Sequence, residues 1–485
     1  MKEYDEARKF DARKFDTNVQ IMKNRVLTEV ARKLWAGEDI FRSFDEIAAK
    51  TILPDEPSTS CCIYKDKAKL AERIRVALGG NKNSDHIIEV IGLICDECPE
   101  AGHTVTNLCR GCLAHECQGA CKLGAITFEN NHAVIDKSKC VECGQCAKAC
   151  PYSAITNFKR PCEKACKADA ICMAETGEAV IDYNKCTSCG VCMNRCPFGA
   201  PIDKSYIADV IDIIKGSKDN TEYPVVAVVA PAIASQFAPI DLGQVITGIR
   251  KLGFAEVYEA ALGADIIAYK ESAELEEKGR LLTSCCPAFV KYVENRFPAL
   301  VPSISHNLSP MAELGRIIKA DNPDAKVIFI GPCTAKKAEV LKDSVSPYVD
   351  SVITFEELLA LLDSREIDVE MQEKSEMDQA TGFGRRFAHS GGVAAAAVQA
   401  LKERGSEFEV NPICVSGLDK IKPILTRANK DLLVQNFIEG MACSGGCTGG
   451  AGCLKHTPKQ DADIDSHADE ATHLEITERF ETVNR

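Results

Sequence analysis

A chain of 485 residues with 45% hydrophobic side chains has material for two or three domains and a sizeable core. Its formal net charge of -13 argues against nucleic acid as the main partner. The N-terminal MKEYDEARKFDARKF is too charged for a signal peptide and no apolar run is long enough to span a bilayer, so a cytoplasmic protein without membrane contact is expected.

Residues 1–92 read as a helical segment, with KAKLAERIRVAL at 67–78 as its clearest helix. The pair Cys61-Cys62 reads as plain thiols. Residues 93–204 hold most of the 26 cysteines and few long apolar runs. Without an export signal, metal ligation is a better reading of so many thiols than a disulfide scaffold. The segment repeats itself. Cys117-QGA-Cys121-KLGAI parallels Cys162-EKA-Cys166-KADAI, and VIDKSKCVECGQCAKACP parallels VIDYNKCTSCGVCMNRCP. A duplicated, small α+β ferredoxin-like unit is expected.

CVECGQCAKACP (Cys140, Cys143, Cys146, Cys150) and CTSCGVCMNRCP (Cys186, Cys189, Cys192, Cys196) both match C-x2-C-x2-C-x3-C-P. In such runs three cysteines wrap one cubane and the fourth, before proline, ligates its neighbour. A zinc ribbon needs only two CxxC pairs and leaves the rest unexplained. CRGCLAHECQGAC supplies Cys109, Cys112, Cys117 and Cys121 as a close variant, for a third cluster. Cys95, Cys98, Cys162 and Cys166 remain as the set for a fourth, with His103 as a substitute ligand. Pairing stays open at this level, because Cys150 suits either the run before it or the run at 186. A row of three to four [4Fe-4S] clusters passes single electrons between the surface and something buried.

From residue 205 the texture turns to α/β. VVAVVAP (225–231) and KVIFIGP (326–332) read as buried strands. TFEELLALL starts a capping-box helix with Thr354 and Glu357, and VAAAAVQALKER (393–404) is another helix. The polar, acidic stretch 457–485 is expected to be a loosely held helix or disordered. Three motifs mark the domain 205–456: TSCCPAF (283–289), GPCTAKKAE (331–339) and EGMACSGGCTGGAG (439–452). Cys286, Cys333, Cys443 and Cys447 could hold one more cubane, with Cys285 left free. Glycines in the third motif let backbone approach a bulky inorganic group.

Together these motifs resemble the three signatures of the [FeFe]-hydrogenases, over about 205–455, with the ferredoxin part ahead of them as in that family. The resemblance implies an α/β H-domain and an H-cluster, a [4Fe-4S] cubane joined to a two-iron subsite with CO, cyanide and azadithiolate. It implies that Cys286, Cys333 and Cys443 ligate the cubane and that Cys447 bridges to the subsite. Lys336 would bond a cyanide. Ala230, Pro231, Met311, Phe387, Ser390, Gly391 and Met441 would form pocket walls. Protons would pass through Cys285, then Glu271, Ser305 and Glu274. The implied reaction is 2H+ + 2e− ⇌ H2, with ferredoxin or flavodoxin as redox partner and dedicated maturation proteins.

Three departures resemble the group B branch. Ala288-Phe289 stands where Gly-Trp is usual, Gly331 where methionine is usual, and Met311 where glutamine is usual. Rival readings are a non-catalytic Nar1-like iron–sulfur protein and a hydrogen sensor. Cys285, Cys447 and the intact PCTAKK argue against the first, and the lack of an appended sensory domain against the second.

Overall fold

The computed structural model describes residues 15–52, 60–95, 98–99 and 101–483. The charged N-terminal stretch read above lies, up to residue 14, outside them. The long helix Asn18–Ala36 opens the described chain, capped by Thr17, whose hydroxyl accepts from Gln20 N. Its apolar stripe, Val26, Leu27 and Val30, is buried in the main core. That face packs against Phe355–Ser364 of the second half, so the first helix is part of the C-terminal domain's wall.

Among the described residues the cysteine-rich part contributes eight short strands: β1 (Ile88–Val90), β2 (Gly102–Val105), β3 (Ile126–Glu129), β4 (His132–Ile135), β5 (Ile155–Phe158), β6 (Ile171–Met173), β7 (Ala179–Ile181) and β8 (Pro201–Asp203). They pair antiparallel as β1–β8, β2–β5, β3–β4 and β6–β7. The partner of β8 therefore comes from the segment read as purely helical. A strand of three residues has no period of its own, which is why the sequence hid β1.

The C-terminal domain is built on two parallel sheets. One has the order β10 (Glu256–Glu259), β9 (Val225–Val229), β12 (Lys326–Gly331), β13 (Ser351–Thr354). The other has the order β11 (Leu281–Leu282), β15 (Phe437–Met441), β14 (Pro412–Ser416). Strand β9 is buried at every position, as a parallel strand covered on both faces must be. Thr354 and Glu357 form the capping box expected of them.

The stretch 457–485 is ordered and packed, contrary to expectation, as far as residue 483. Helices Gln460–Asp469 and Ile476–Val483 bury Ile464, Ala468 and Ile476. Arg386 pairs with Asp465 and Asp469, and Thr477 N donates to Glu403 (2.8 Å). Two helices that each bury only one or two apolar residues leave little hydrophobic period to read.

One ionic network joins all parts of the chain. Lys23 Nζ meets Asp203 and Glu356, both at 2.6 Å. Lys337 Nζ meets Asp203 at 2.7 Å and Glu357 at 2.8 Å. All five side chains are buried. Burial alone raises a carboxyl, yet Lys23 and Lys337 hold Asp203 well below the ordinary range.

Candidate functional site

All three motif loops leave the C-terminal ends of parallel strands. TSCCPAF follows β11, PCTAKK follows β12 and MACSGGC follows β15, and Ala230-Pro231 follows β9. Ligands of open α/β sheets sit at such ends. Cys286 is the N-cap of Pro287–Arg296 and Cys333 the N-cap of Thr334–Glu339, each presenting its sulfur to a helix N-terminus, a place that favours thiolate.

The loops bring Cys286, Cys333, Cys443 and Cys447 into one buried group. Burial pushes Cys333 and Cys447 up to about 12, and the neighbouring thiols of the group push them the same way. Cys443 is raised well above its ordinary value for the same reasons. Four desolvated thiols that each oppose ionisation of the others suit a ligand set whose charge is met by iron. The donor chemistry and the glycine-rich approach thus fit a cubane.

Beside this group lies a cavity of about 90 Å3. Cys285, Cys286, Cys333, Cys447 and Lys336 reach it, and the rest of its wall is apolar. Ala230, Pro231, Met311, Phe387 and Met441 line it, as expected. Ser390 and Gly391 do not, because Gly391 N is held back by Glu439 Oε1 (2.6 Å). Ala260, Ala264 and Phe329 line it without having been foreseen. Phe329 accounts for one departure from the usual motif. A Cβ on Gly331 would lie 2.6 Å from the Phe329 ring, so the ring fills the space that a side chain at 331 would take. Phe289 does the same against Gly440, at 2.2 Å. Lys336 is buried and paired with Glu339 at 2.6 Å. Burial lowers it, but Glu339 and the Cys333 and Cys285 thiols raise it further.

Cys285 is free of the four-thiol group. Burial raises its thiol well above the ordinary value, and Glu271 adds to the rise. Glu271 is fully buried. Its Oε1 accepts from Ser284 N and Ser284 Oγ, each at 3.3 Å, and its Oε2 has no hydrogen-bond partner. Burial lifts this carboxyl to about 7, against the pull of Ser284 and the Ser305 hydroxyl. Ser305 Oγ in turn donates to Glu274 Oε2 (2.8 Å). Glu274 pairs with Lys278 at 2.6 Å and accepts from the N–H of exposed His306. These bonds hold Glu274 below its ordinary value in spite of its partial burial. Cys285, Glu271, Ser305 and Glu274 therefore form one file from cavity to surface. Ser284, which lies inside TSCCPAF, was overlooked.

The ferredoxin-like part resolves the pairing left open above. Cys109, Cys112, Cys117 and Cys150 line one small void. Cys140 and Cys121 face Cys146. Burial and then Cys196, Cys95 and Cys98 push Cys162 up to about 11. Burial and then Cys189, Cys186 and Cys166 raise Cys192. A backbone feature marks the four crossover thiols. Ala125, Ala154, Ala170 and Ala200, each four residues on, donate N–H to Cys121, Cys150, Cys166 and Cys196 at 3.3, 3.4, 3.3 and 3.5 Å. The fourth set is thus Cys95, Cys98, Cys162 and Cys196, and Cys166 belongs with Cys186, Cys189 and Cys192. His103 is no substitute in that set, because it is bonded to Glu142 in the 140–150 run.

The second unit touches the catalytic loops directly. Thr334 Oγ1, next to Cys333, donates to Ser188 O, next to Cys189, at 2.7 Å. Gly190 has φ +74°, and a Cβ there would lie 2.4 Å from Ala451 and 2.7 Å from Thr334. Cys189 faces Cys286 and Cys443 across this contact.

Sixteen paired thiols leading to a buried five-cysteine site describe an iron–sulfur protein with an electron relay. Comparison with known proteins narrows the class. Residues 223–451 match the family described as "Iron only hydrogenase large subunit, C-terminal domain", and residues 133–156 and 179–202 match the "4Fe-4S binding domain". The chain is 32% identical over 388 residues to "Iron hydrogenase 1" of Clostridium pasteurianum, covering 68% of this chain and 66% of that one. It is 32% identical over 137 residues to "Cytosolic Fe-S cluster assembly factor NAR1" of Eremothecium gossypii, covering 27% of this chain and 30% of that protein. A solved [FeFe]-hydrogenase structure covers 57% of this chain and 93% of its own, at 23% identity and a TM-score of 0.47. The chain belongs to the iron-only hydrogenase family, as a homologue of the [FeFe]-hydrogenases. No helix among the described residues is long and apolar enough to cross a membrane.

Proposed function

We propose that this protein is a group B-like [FeFe]-hydrogenase of the cytoplasm, catalysing 2H+ + 2e− ⇌ H2. Cys286, Cys333 and Cys443 hold the cubane of an H-cluster, and Cys447 bridges it to the two-iron subsite in the apolar cavity. When bound, that group supplies the metal and the bridging amine at which protons and electrons combine. The chain supplies the rest. Cys285 holds and passes a proton at its sulfur, and Glu271, Ser305 and Glu274 carry it to the surface. Lys336 offers an ammonium to the cyanide end of the cavity, and the apolar walls exclude water. Four further [4Fe-4S] clusters relay electrons from a ferredoxin or flavodoxin, and maturation proteins install the two-iron subsite.

The observation that carries this reading is the fifth cysteine. Cys285 is a thiol outside the ligand group, facing a buried carboxyl that titrates near neutral pH. An iron–sulfur protein without proton chemistry has no use for that file. The NAR1 similarity supports a second reading, a non-catalytic iron–sulfur protein of the same fold. Infrared spectroscopy of matured protein separates them. CO and cyanide bands together with hydrogen evolution are expected. Their absence after maturation would leave the second reading.

A further inference from the structure

The two ferredoxin-like units are copies of one design, so each is a control for the other. Where the second unit has Thr187 after Cys186, the first has Val141 after Cys140. Thr187 is 4% exposed and Val141 66%. Where the second has Ala168 after Cys166-Lys167, the first has Leu123 after Cys121-Lys122. Ala168 is 3% exposed and Leu123 52%. Tyr152 is exposed where its counterpart Phe198 is partly buried in a core cluster. Leu113, just after Cys112, is 99% exposed. The second unit's positions are small, or covered by the rest of the chain. The first unit's positions are large, apolar and uncovered.

Charge follows the same division. Residues 102–160 carry seven Lys and Arg against four Asp and Glu, within a chain of net charge -13. Lys122, Lys139, Lys148 and Lys159 are exposed among the apolar side chains, while Arg160 is buried and outside the patch. Large exposed apolar groups inside a cationic rim mark a protein-binding face. A second copy of this chain would set one positive face against another. An acidic partner meets no such repulsion.

We infer that the face of the first unit formed by Leu113, Leu123, Val141 and Tyr152 docks a small acidic electron-transfer protein that presents an apolar patch beside its own redox centre. The inference rests on reading the cysteine-rich segment as an electron relay. One electron leaves the partner's reduced centre and enters the cubane at Cys109, Cys112, Cys117 and Cys150 or that at Cys121, Cys140, Cys143 and Cys146. The partner is oxidised by one electron, the cubane is reduced by one, and no bond or proton moves.

The test uses cluster-loaded full-length protein and a reduced acidic two-cluster ferredoxin as probe, mixed anaerobically while bleaching of the cluster absorbance is followed. Leu113→Ser and Lys148→Glu are each expected to lower the second-order rate on the order of tenfold at low salt. Lys148→Glu should also flatten the fall of that rate with rising ionic strength. Reduction by dithionite, which needs no docking face, should be equal in all three proteins, and iron content should match. Unchanged ferredoxin rates in both variants would overturn the inference. So would a dimer of the parent protein that Leu113→Ser dissociates in sedimentation, since the face would then belong to a second copy. The readout is cluster reduction rather than hydrogen, so a protein lacking CO and cyanide bands still answers the question.

Discussion

The ferredoxin-like part and the catalytic cavity solve the same problem of wrapping thiols around a compact group, and they differ in what is left over. In the first, sixteen cysteines fall into sets of four, and a backbone N–H braces each crossover sulfur. The cavity has five cysteines for four ligand positions, and the fifth faces a buried carboxyl. Electron passage needs the wrapped group alone. Proton passage needs a side chain that is free to lose and regain hydrogen, so the spare thiol distinguishes a reactive site from a wire.

Cys285→Ala tests this contrast most sharply. It should keep the iron content and the CO and cyanide bands while hydrogen evolution falls on the order of a thousandfold, the scale of a lost acid–base group. Cys286→Ala should instead lose cubane signals. Activity retained in the Cys285 variant would dissolve the distinction between the two regions.

Glu271→Gln should lower turnover on the order of a hundredfold with bands intact. It also has a signature in stability. Folded Glu271 keeps its proton up to about pH 7, whereas the unfolded carboxyl releases it from its ordinary value of 4.5. The folded state binds more protons in that window, so stability falls as pH rises through it and levels off above. The variant should flatten this fall by roughly 3 kcal/mol, read from denaturant midpoints across the window. An unchanged slope would mean that Glu271 is not buried in the protonated form.

Within the relay the expected effect is smaller and additive. Fully loaded protein should contain about 22 irons per chain, at four per cubane plus the two-iron subsite. Cys196→Ala should remove about four of them and leave the CO and cyanide bands in place. Loss of the bands would mean that the second unit and the cavity do not assemble separately. Smallest is Thr334→Val at the contact between the regions, expected to cost about 1 kcal/mol of stability with all clusters retained. A loss of the cubane there would show that the hydroxyl acts on the ligand loop itself.

The sequence carried the ligands well, because cluster chemistry fixes spacing and residue type together. It carried the capping box at Thr354 and the buried run of β9 for similar reasons, since each is a local pattern. It did not carry the exchange of Cys166 and Cys196. Both units repeat the same spacing, so only space shows which copy a crossover sulfur joins. Nor did it carry Phe329 as a cavity wall, since a phenyl group inside an apolar strand looks like any core residue until Gly331 is seen beneath it. Ser390 and Gly391 were placed one layer too far forward, because the buried Glu439 that holds their loop gives no signal in its own motif.

The five-membered ionic network has a consequence for how this chain comes apart. Lys23 belongs to the first helix, Asp203 to the end of the second ferredoxin-like unit, and Lys337 with Glu356 and Glu357 to the catalytic half. Cutting the chain near residue 204 would strand two lysine–carboxylate sets in apolar surroundings without their partners, a loss of several kcal/mol. The apparent modules are therefore one cooperative unit. A truncated catalytic half should melt earlier than the intact protein, and a relay expressed alone should lose the strand pairing that ends at Asp203.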